Sequence, residues 1–245
     1  MRVGFAPARC GAILAVLAAL LTAAGCRSIL PTQYEYDEQI ELSLDGSAIV
    51  YINGSVPALV ALHGIDLDVA PTARLDRAAI RSFYGSDTVR VARISTSRRK
   101  GRRFVHVRLD VDDICQLGST AAFARPDCSF RQRDGEYVFR QTITRGAVRD
   151  VGDVGWTGGE QVAFRLHLPS RIHYHNAPSK RVERGNILLW EQSFADRLAG
   201  RPVEMEARMA PESILYTTLW LFGTMALVVI ALFGVILWWL MRRKA

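Results

Sequence analysis

The sequence predicts an α+β domain, a largely antiparallel sheet with two or three short helices on one side, followed by a C-terminal transmembrane helix. Three observations carry this expectation. Apolar and polar residues alternate strictly in several segments between residues 40 and 209, the period of half-buried strands. Helical periodicity appears only in a few short stretches. From Ile214 to Met241 no residue is charged, a run longer than the roughly 20 residues that a bilayer span needs.

The bulk properties agree. A chain of 245 residues with 49% hydrophobic and 22% charged residues has room for one folded domain or two small ones and is too apolar to be disordered. Its net charge of +7 is concentrated at the ends: removing Arg2, Arg9, Arg242, Arg243 and Lys244 leaves +2 for the middle. A nearly neutral folded part argues against a nucleic-acid partner.

Residues 1–25 read as a lipoprotein-type signal peptide. Two arginines precede an apolar run, Gly11 to Ala24, that is too short to span a bilayer comfortably. The tetrapeptide Ala23-Ala24-Gly25-Cys26 resembles the bacterial lipobox, with Ala23 where that pattern usually has Leu. This makes Cys26 the expected lipidation site; the plainer reading is an ordinary signal peptide with a cysteine near its cleavage site. Residues 26–33 are then a linker, 34–210 an exported α+β domain, and Ala210–Ser213 a second short linker before the apolar run.

Within that domain, Ile40–Leu44 and Ala48–Ile52 flank Asp45-Gly46, a hairpin turn. Pro57–His63 offers a short apolar helical turn. Ala73–Tyr84 reads as a helix whose Leu75, Ala78, Ala79 and Phe83 share a face and which ends at Gly85. Val89–Ile94 and Phe104–Val111 flank the basic turn 97–103, and Asp112–Leu117 suggests a third helical turn. Asp134-Gly135 joins Phe130–Arg133 to Tyr137–Ile143, and alternation returns in Val162–Leu168 and Val203–Met209. Residues 214–241 are the transmembrane helix, with Tyr216 and Trp220 near one edge and Trp238-Trp239 near the other. Residues 242–245 form a basic tail, placed in the cytoplasm by the positive-inside rule. The expected location is the cytoplasmic (inner) membrane, with the bulk of the chain on its outer, periplasmic face.

The lipobox, the opening segment YEYDEQIELSLDGSAIVYING and the closing RGNILLWEQSFADRLAGRPVEMEARM before a C-terminal span resemble LppM-type bacterial lipoproteins. Gly185, Asn186, Leu188 and Trp190 carry the most recognisable pattern. The resemblance implies a compact α+β domain on a membrane tether, an envelope role and lipid or glycolipid binding, with no catalytic residues to carry over.

Candidate chemistry is sparse. His173-Tyr174-His175 places two imidazoles two residues apart on a strand, weak candidates for a metal site that would need His167 or His106 as a third ligand; a solvated strand face is the plainer reading. No HExxH, GxSxG or P-loop occurs. With Cys26 lipidated, Cys115 and Cys128 form an even pair, expected as a disulfide in an oxidising compartment, the alternative being two reduced buried thiols. Arg98, Arg99, Lys100, Arg102 and Arg103 suggest contact with anionic lipid headgroups, against a solvated hairpin tip. The leading expectation is a non-catalytic, membrane-anchored envelope lipoprotein without cofactor, whose domain binds a lipid-like ligand or a membrane-protein partner. The alternatives are a metal-dependent or otherwise unrecognised envelope enzyme and a structural subunit of a membrane complex whose span docks through Gly223 and Gly234.

Overall fold

The computed structural model describes residues 33–123, 127–144 and 149–242. The signal segment, Cys26, Arg243 and Lys244 lie outside these residues.

Strands β1 (Tyr36–Leu42) and β2 (Ala48–Ser55) form the first hairpin. Its turn is held by Asp45, whose carboxylate accepts from the amide and hydroxyl of Ser47 and is thereby pulled below the usual range. Ser55 then caps α1 (Val56–His63): its hydroxyl accepts the Ala58 amide at 3.1 Å, and Pro57 sits in the first turn, where no amide is needed. Every residue from Val56 to Leu62 is buried, so α1 is a core helix rather than a surface one. Helix α2 (Arg77–Tyr84) is shorter than the expected Ala73–Tyr84. The Asp76 carboxylate accepts the amides of Ala78 and Ala79, which starts the helix at Arg77 and turns Ile80 and Tyr84 fully inward, with Ala79 and Phe83 half-buried and Ala78 exposed.

Strands β3 (Val89–Arg99) and β4 (Arg102–Val111) close on Lys100-Gly101, both at positive φ (47° and 75°), the two-residue turn that matches strand twist. A 3-10 turn, Ile114–Ser119, capped by Asp113, leads to β5 (Cys128–Arg133) and β6 (Glu136–Ile143), joined by Asp134-Gly135 in the same turn geometry. Then follow β7 (Gln161–His167), β8 (Ser170–His175), β9 (Ile187–Ser193), the short helix α3 (Phe194–Leu198), β10 (Val203–Ser213) and α4 (Ile214–Arg242).

The strands divide between two sheets. Sheet A has the order β3-β4-β2-β1-β7-β9 and sheet B the order β5-β6-β10-β8. Pairing is antiparallel throughout, apart from β1 with β7. The α+β class and the mostly antiparallel pairing are as expected, with two sheets where the alternation alone suggested one. Val50, Ile52, Leu59, Ile80, Leu109 and Leu166 are among the fully buried core side chains. Cys115 and Cys128 are disulfide-bonded with their Cα atoms 5.2 Å apart. The bond ties the turn behind β4 to the first residue of β5, where the chain passes from sheet A to sheet B.

Residues 210–213, expected as a linker, are strand. Ser213 pairs with Ser170, the Ile214 amide donates to the Pro169 carbonyl at 3.0 Å, and the Ser213 hydroxyl accepts the Leu215 amide. Sheet B thus runs into α4 without an intervening loop. Ile214–Trp239 is a helix of 26 residues with mean hydropathy 2.5 and no buried share. By length and composition it is a candidate membrane span, which points the chain to membrane association.

Candidate functional site

Four places in the folded domain gather polar chemistry, and only one of them was conspicuous in the sequence. The first is interior. Strand β1 turns Glu38 inward, 1% exposed, where it accepts a hydrogen bond from the Tyr36 hydroxyl at 2.9 Å. Burial, reinforced by the Glu38 carboxylate, pushes the Tyr84 phenol far above its usual range, and the hydroxyl has no hydrogen-bond partner among the described residues. Arg197 of α3, 5% exposed, donates to the Ile143 carbonyl at 3.2 Å. His63, at the end of α1, sits 2.6 Å from the Ala122 carbonyl through Nδ1, with Tyr36 and Phe123 against its ring. Tyr36, Glu38, His63 and Arg197 line a cavity of about 30 Å³, room for one or two waters and far too small for an acyl chain. Glu38 was legible in principle, since it occupies the inward phase of the alternation through Tyr36, Ile40 and Leu42; Arg197 left no such mark.

The second place is the outer face of sheet A, where hydrogen bonds and ion pairs cross all six strands. The Ser97 hydroxyl lies 2.8 Å from His106 Nε2, and His106 Nδ1 lies 2.8 Å from Asn53 Oδ1. Asn53 donates to Asp37, Asp37 pairs with Arg165, and the Arg165 guanidinium covers the Tyr34 ring at 4.9 Å. Tyr34 in turn donates to Glu191 of β9. Burial first, and then Arg99, lowers the pKa of His106.

The histidines singled out from sequence do not converge. His167 shares the outer face of sheet A, but β2 and β1 separate its strand from that of His106, three spacings or roughly 14 Å. His173 and His175 belong to sheet B. His173 is the bulged residue between the pairs Arg208–Tyr174 and Met209–Ile172, exposed and bonded to Glu136, whereas His175 is half-buried. The bulge breaks the two-residue spacing that would have aligned them. Burial, then Lys180, lowers the pKa of His175. Among the described residues, no group of three or more His, Cys, Asp or Glu could hold a metal ion.

The third place is the basic hairpin tip, and it is largely consumed inside the domain. Arg102 pairs with Glu35 at 3.1 Å and reaches to 3.9 Å from Glu160. Burial works to raise the pKa of Glu160, but the amides of Thr157 and Gly158, together with Arg102, outweigh it and leave it lowered. Arg103 donates to the carbonyls of Ala73 and Asp68, Arg98 to that of Pro71, and Arg99 lies over the Phe104 ring at 4.0 Å. Of the five basic residues, Arg102 and Arg103 are spent on the fold, Arg98 and Lys100 stay exposed, and the tip fastens the segment before α2. Register also places the tip. Phe104 pairs with Ser55, Gly54 with Tyr36, and Tyr36 with Val162. The tip thus lies at the start of β7, while α4 begins beside Pro169, just past the end of that strand. Seven strand residues separate the two ends by roughly 20 Å.

The fourth place is the outer face of sheet B. Arg131, Val138 and Arg208 form one row across β5, β6 and β10, with Ser129, Arg140 and Glu206 beside it. Arg140 and Arg208 both bond Glu206, at 3.2 Å and 3.0 Å, and hold its carboxyl below the usual range against the opposing effect of burial. Arg131 and Arg133 are exposed and make no hydrogen bond or ion pair among the described residues, and the same holds for Arg171 of β8. These strands form a groove of about 370 Å³ lined by Ser129, Arg131, Arg133, Glu136, Arg140 and Arg208. The sequence shows Arg131 and Arg133 at alternate positions but not what lies beside them.

The chain matches no family model and no curated protein. Among solved structures it is similar to the folded domain of LppM from Mycobacterium tuberculosis, determined by NMR, at 14% identity and a TM-score of 0.39, over 76% of this chain and 95% of that one.

Proposed function

We propose that the chain is a non-catalytic envelope lipoprotein, acylated at Cys26 and spanning the cytoplasmic membrane through α4, whose exported domain recognises a lipid-like ligand at the membrane surface. The observation that carries this reading is the junction of β10 with α4. A strand paired through Ser213 and clamped by the Ile214–Pro169 hydrogen bond holds the domain directly against whatever α4 enters. The chain enters sheet A at the other pole, where the Glu35 amide donates to the Gln161 carbonyl. Residues 26–33, fully extended, reach about 28 Å, against the roughly 20 Å length of β7. An acyl group on Cys26 and α4 can therefore enter one bilayer.

Two further observations support the parts of the proposal. The interior cavity is of water size and the larger groove is polar and arginine-lined, which favours headgroup recognition over sequestration of an acyl chain. The groups whose pKa is displaced, among them Tyr84, His106, Glu160, His175 and Glu206, are spread over both sheets rather than gathered in one cleft, which favours a non-catalytic role. The test is alkyne fatty-acid labelling of cells followed by carbonate extraction. The wild-type chain should be labelled and resist extraction. Cys26→Ser should lose the label yet stay in the membrane, because a spanning helix is the stronger anchor. Persistent labelling of that variant would overturn the acylation, and release of either chain by carbonate would overturn the span.

A further inference from the structure

We infer that the outer face of sheet B is a seat for the anionic lipid headgroups of the same bilayer that α4 enters, with Arg131, Arg133 and Arg171 as its contacts. The inference rests on the anchored reading above and adds the surface that meets the lipid. Position comes first. Arg171 adjoins Ser170, whose strand partner Ser213 immediately precedes α4. The β5–β6 tip lies only slightly farther away. Met209 pairs with Tyr137, and Arg133 pairs with Glu136, the next residue along. Four to five residues of β10 thus separate the level of Arg133 from the start of α4, at most about 16 Å along the strand. The bulge in β10 between Met209 and Ser213 shortens that path. The 98–103 tip has no such proximity.

Charge comes second. On this face Glu206 is occupied by Arg140 and Arg208, and Glu136 by His173. Arg131, Arg133 and Arg171 remain as exposed guanidinium groups, opposed by the exposed carboxylates of Asp134 and Glu212 near them and of Glu204 at the far end of β10. Guanidinium groups bind phosphate through paired N–H donors, and an anionic leaflet offers phosphates in a plane at the level where α4 leaves the domain. Bulk ions screen exposed charges beyond about 8 Å at physiological salt, so Arg171, next to the partner of Ser213, feels the surface first, and Arg133 and Arg131, farther along β10, reach phosphate when the sheet face leans onto the bilayer.

The experiment places the full-length chain in lipid nanodiscs, one set wholly zwitterionic and one containing phosphatidylglycerol, and follows hydrogen exchange by mass spectrometry. Exchange in the 129–137 peptide should slow several-fold in the anionic discs and not in the neutral ones, while the 97–104 peptide is unchanged. Arg131→Gln, Arg133→Gln and Arg171→Gln together should abolish the difference; the three side chains are exposed, and an unchanged exchange profile in the neutral discs verifies the fold. Added salt should reverse the protection. Equal exchange in both discs, protection that survives the triple substitution, or protection at 97–104 instead would each overturn the seat while leaving the anchor intact. Failure of the chain to enter either disc would overturn the anchored reading, and the seat with it.

Discussion

The two arginine-rich regions of this protein teach opposite lessons about charge. The tip at residues 98–103 is the densest basic run in the chain, yet Arg102 and Arg103 are bound to Glu35 and to backbone carbonyls, and Arg99 lies on Phe104. Sheet B scatters its arginines over all four strands, and there Arg131 and Arg133 stand exposed and free of ion pairs among the described residues. Sequence density is a poor guide to free charge, because a hairpin folding against loops with open carbonyls supplies acceptors for its own cations. A flat sheet face with one shared carboxylate does not.

That contrast can be broken at several points. The largest effect is expected at the covalent tie between the regions. Reducing Cys115–Cys128, or replacing both by Ser, reopens a segment with a sequence separation of 13 and should cost about 3 kcal/mol on loop entropy. Denaturant unfolding in detergent measures it; an unchanged midpoint would mean that the 3-10 turn and β5 are held in place without the bond. Next comes the tip itself. Arg102→Ala removes the ion-pair partner of a Glu35 side chain that is 9% exposed and keeps only the Trp156 indole as a donor among the described residues, and should destabilise by about 2 kcal/mol, less than for a fully buried pair because Arg102 keeps some contact with water. Arg131→Ala, with no partner to strand, should stay within about 0.5 kcal/mol. Equal effects of the two substitutions would erase the distinction between spent and free arginines.

Smaller effects sharpen the comparison inside sheet A and its core. Tyr84→Phe deletes a buried hydroxyl that lacks a partner among the described residues and should be neutral or stabilise by up to about 1 kcal/mol; a loss of stability would reveal a bond the hydroxyl makes. The smallest is a pH effect at His106. Its folded pKa lies below the unfolded value of 6.5, so the unfolded chain takes up the proton more readily. The stabilisation is therefore complete above that value and is lost as pH falls through the folded pKa. Stability measured from neutral to mildly acidic pH should decline, and His106→Gln should flatten part of the slope, with His175 retaining its own share.

Much of the fold was legible in the sequence by itself. Strands β1, β4, β7 and β10 announce themselves because each has one dry face and one wet face, and that asymmetry is written as alternation. Asp45-Gly46 and Asp134-Gly135 mark turns because glycine tolerates the positive φ that Gly46 and Gly135 adopt. The candidate span at 214–239 is visible because a long run without any charge is the composition that a bilayer crossing needs. These are local constraints, satisfied within a few residues of chain. Tertiary structure alone decided that the strands form two sheets, since β1 meets β7 and β6 meets β10 across long separations that no local pattern encodes. It also decided that α2 starts at Asp76, that His173 is bulged away from the alignment with His175, and that residues 210–213 continue a strand into α4 rather than forming a linker. Which arginines are free followed from the same cause. A cation's availability depends on the acceptors that distant segments bring to it, and Glu35, Pro71 and Ala73 reach the basic tip only once the chain has folded.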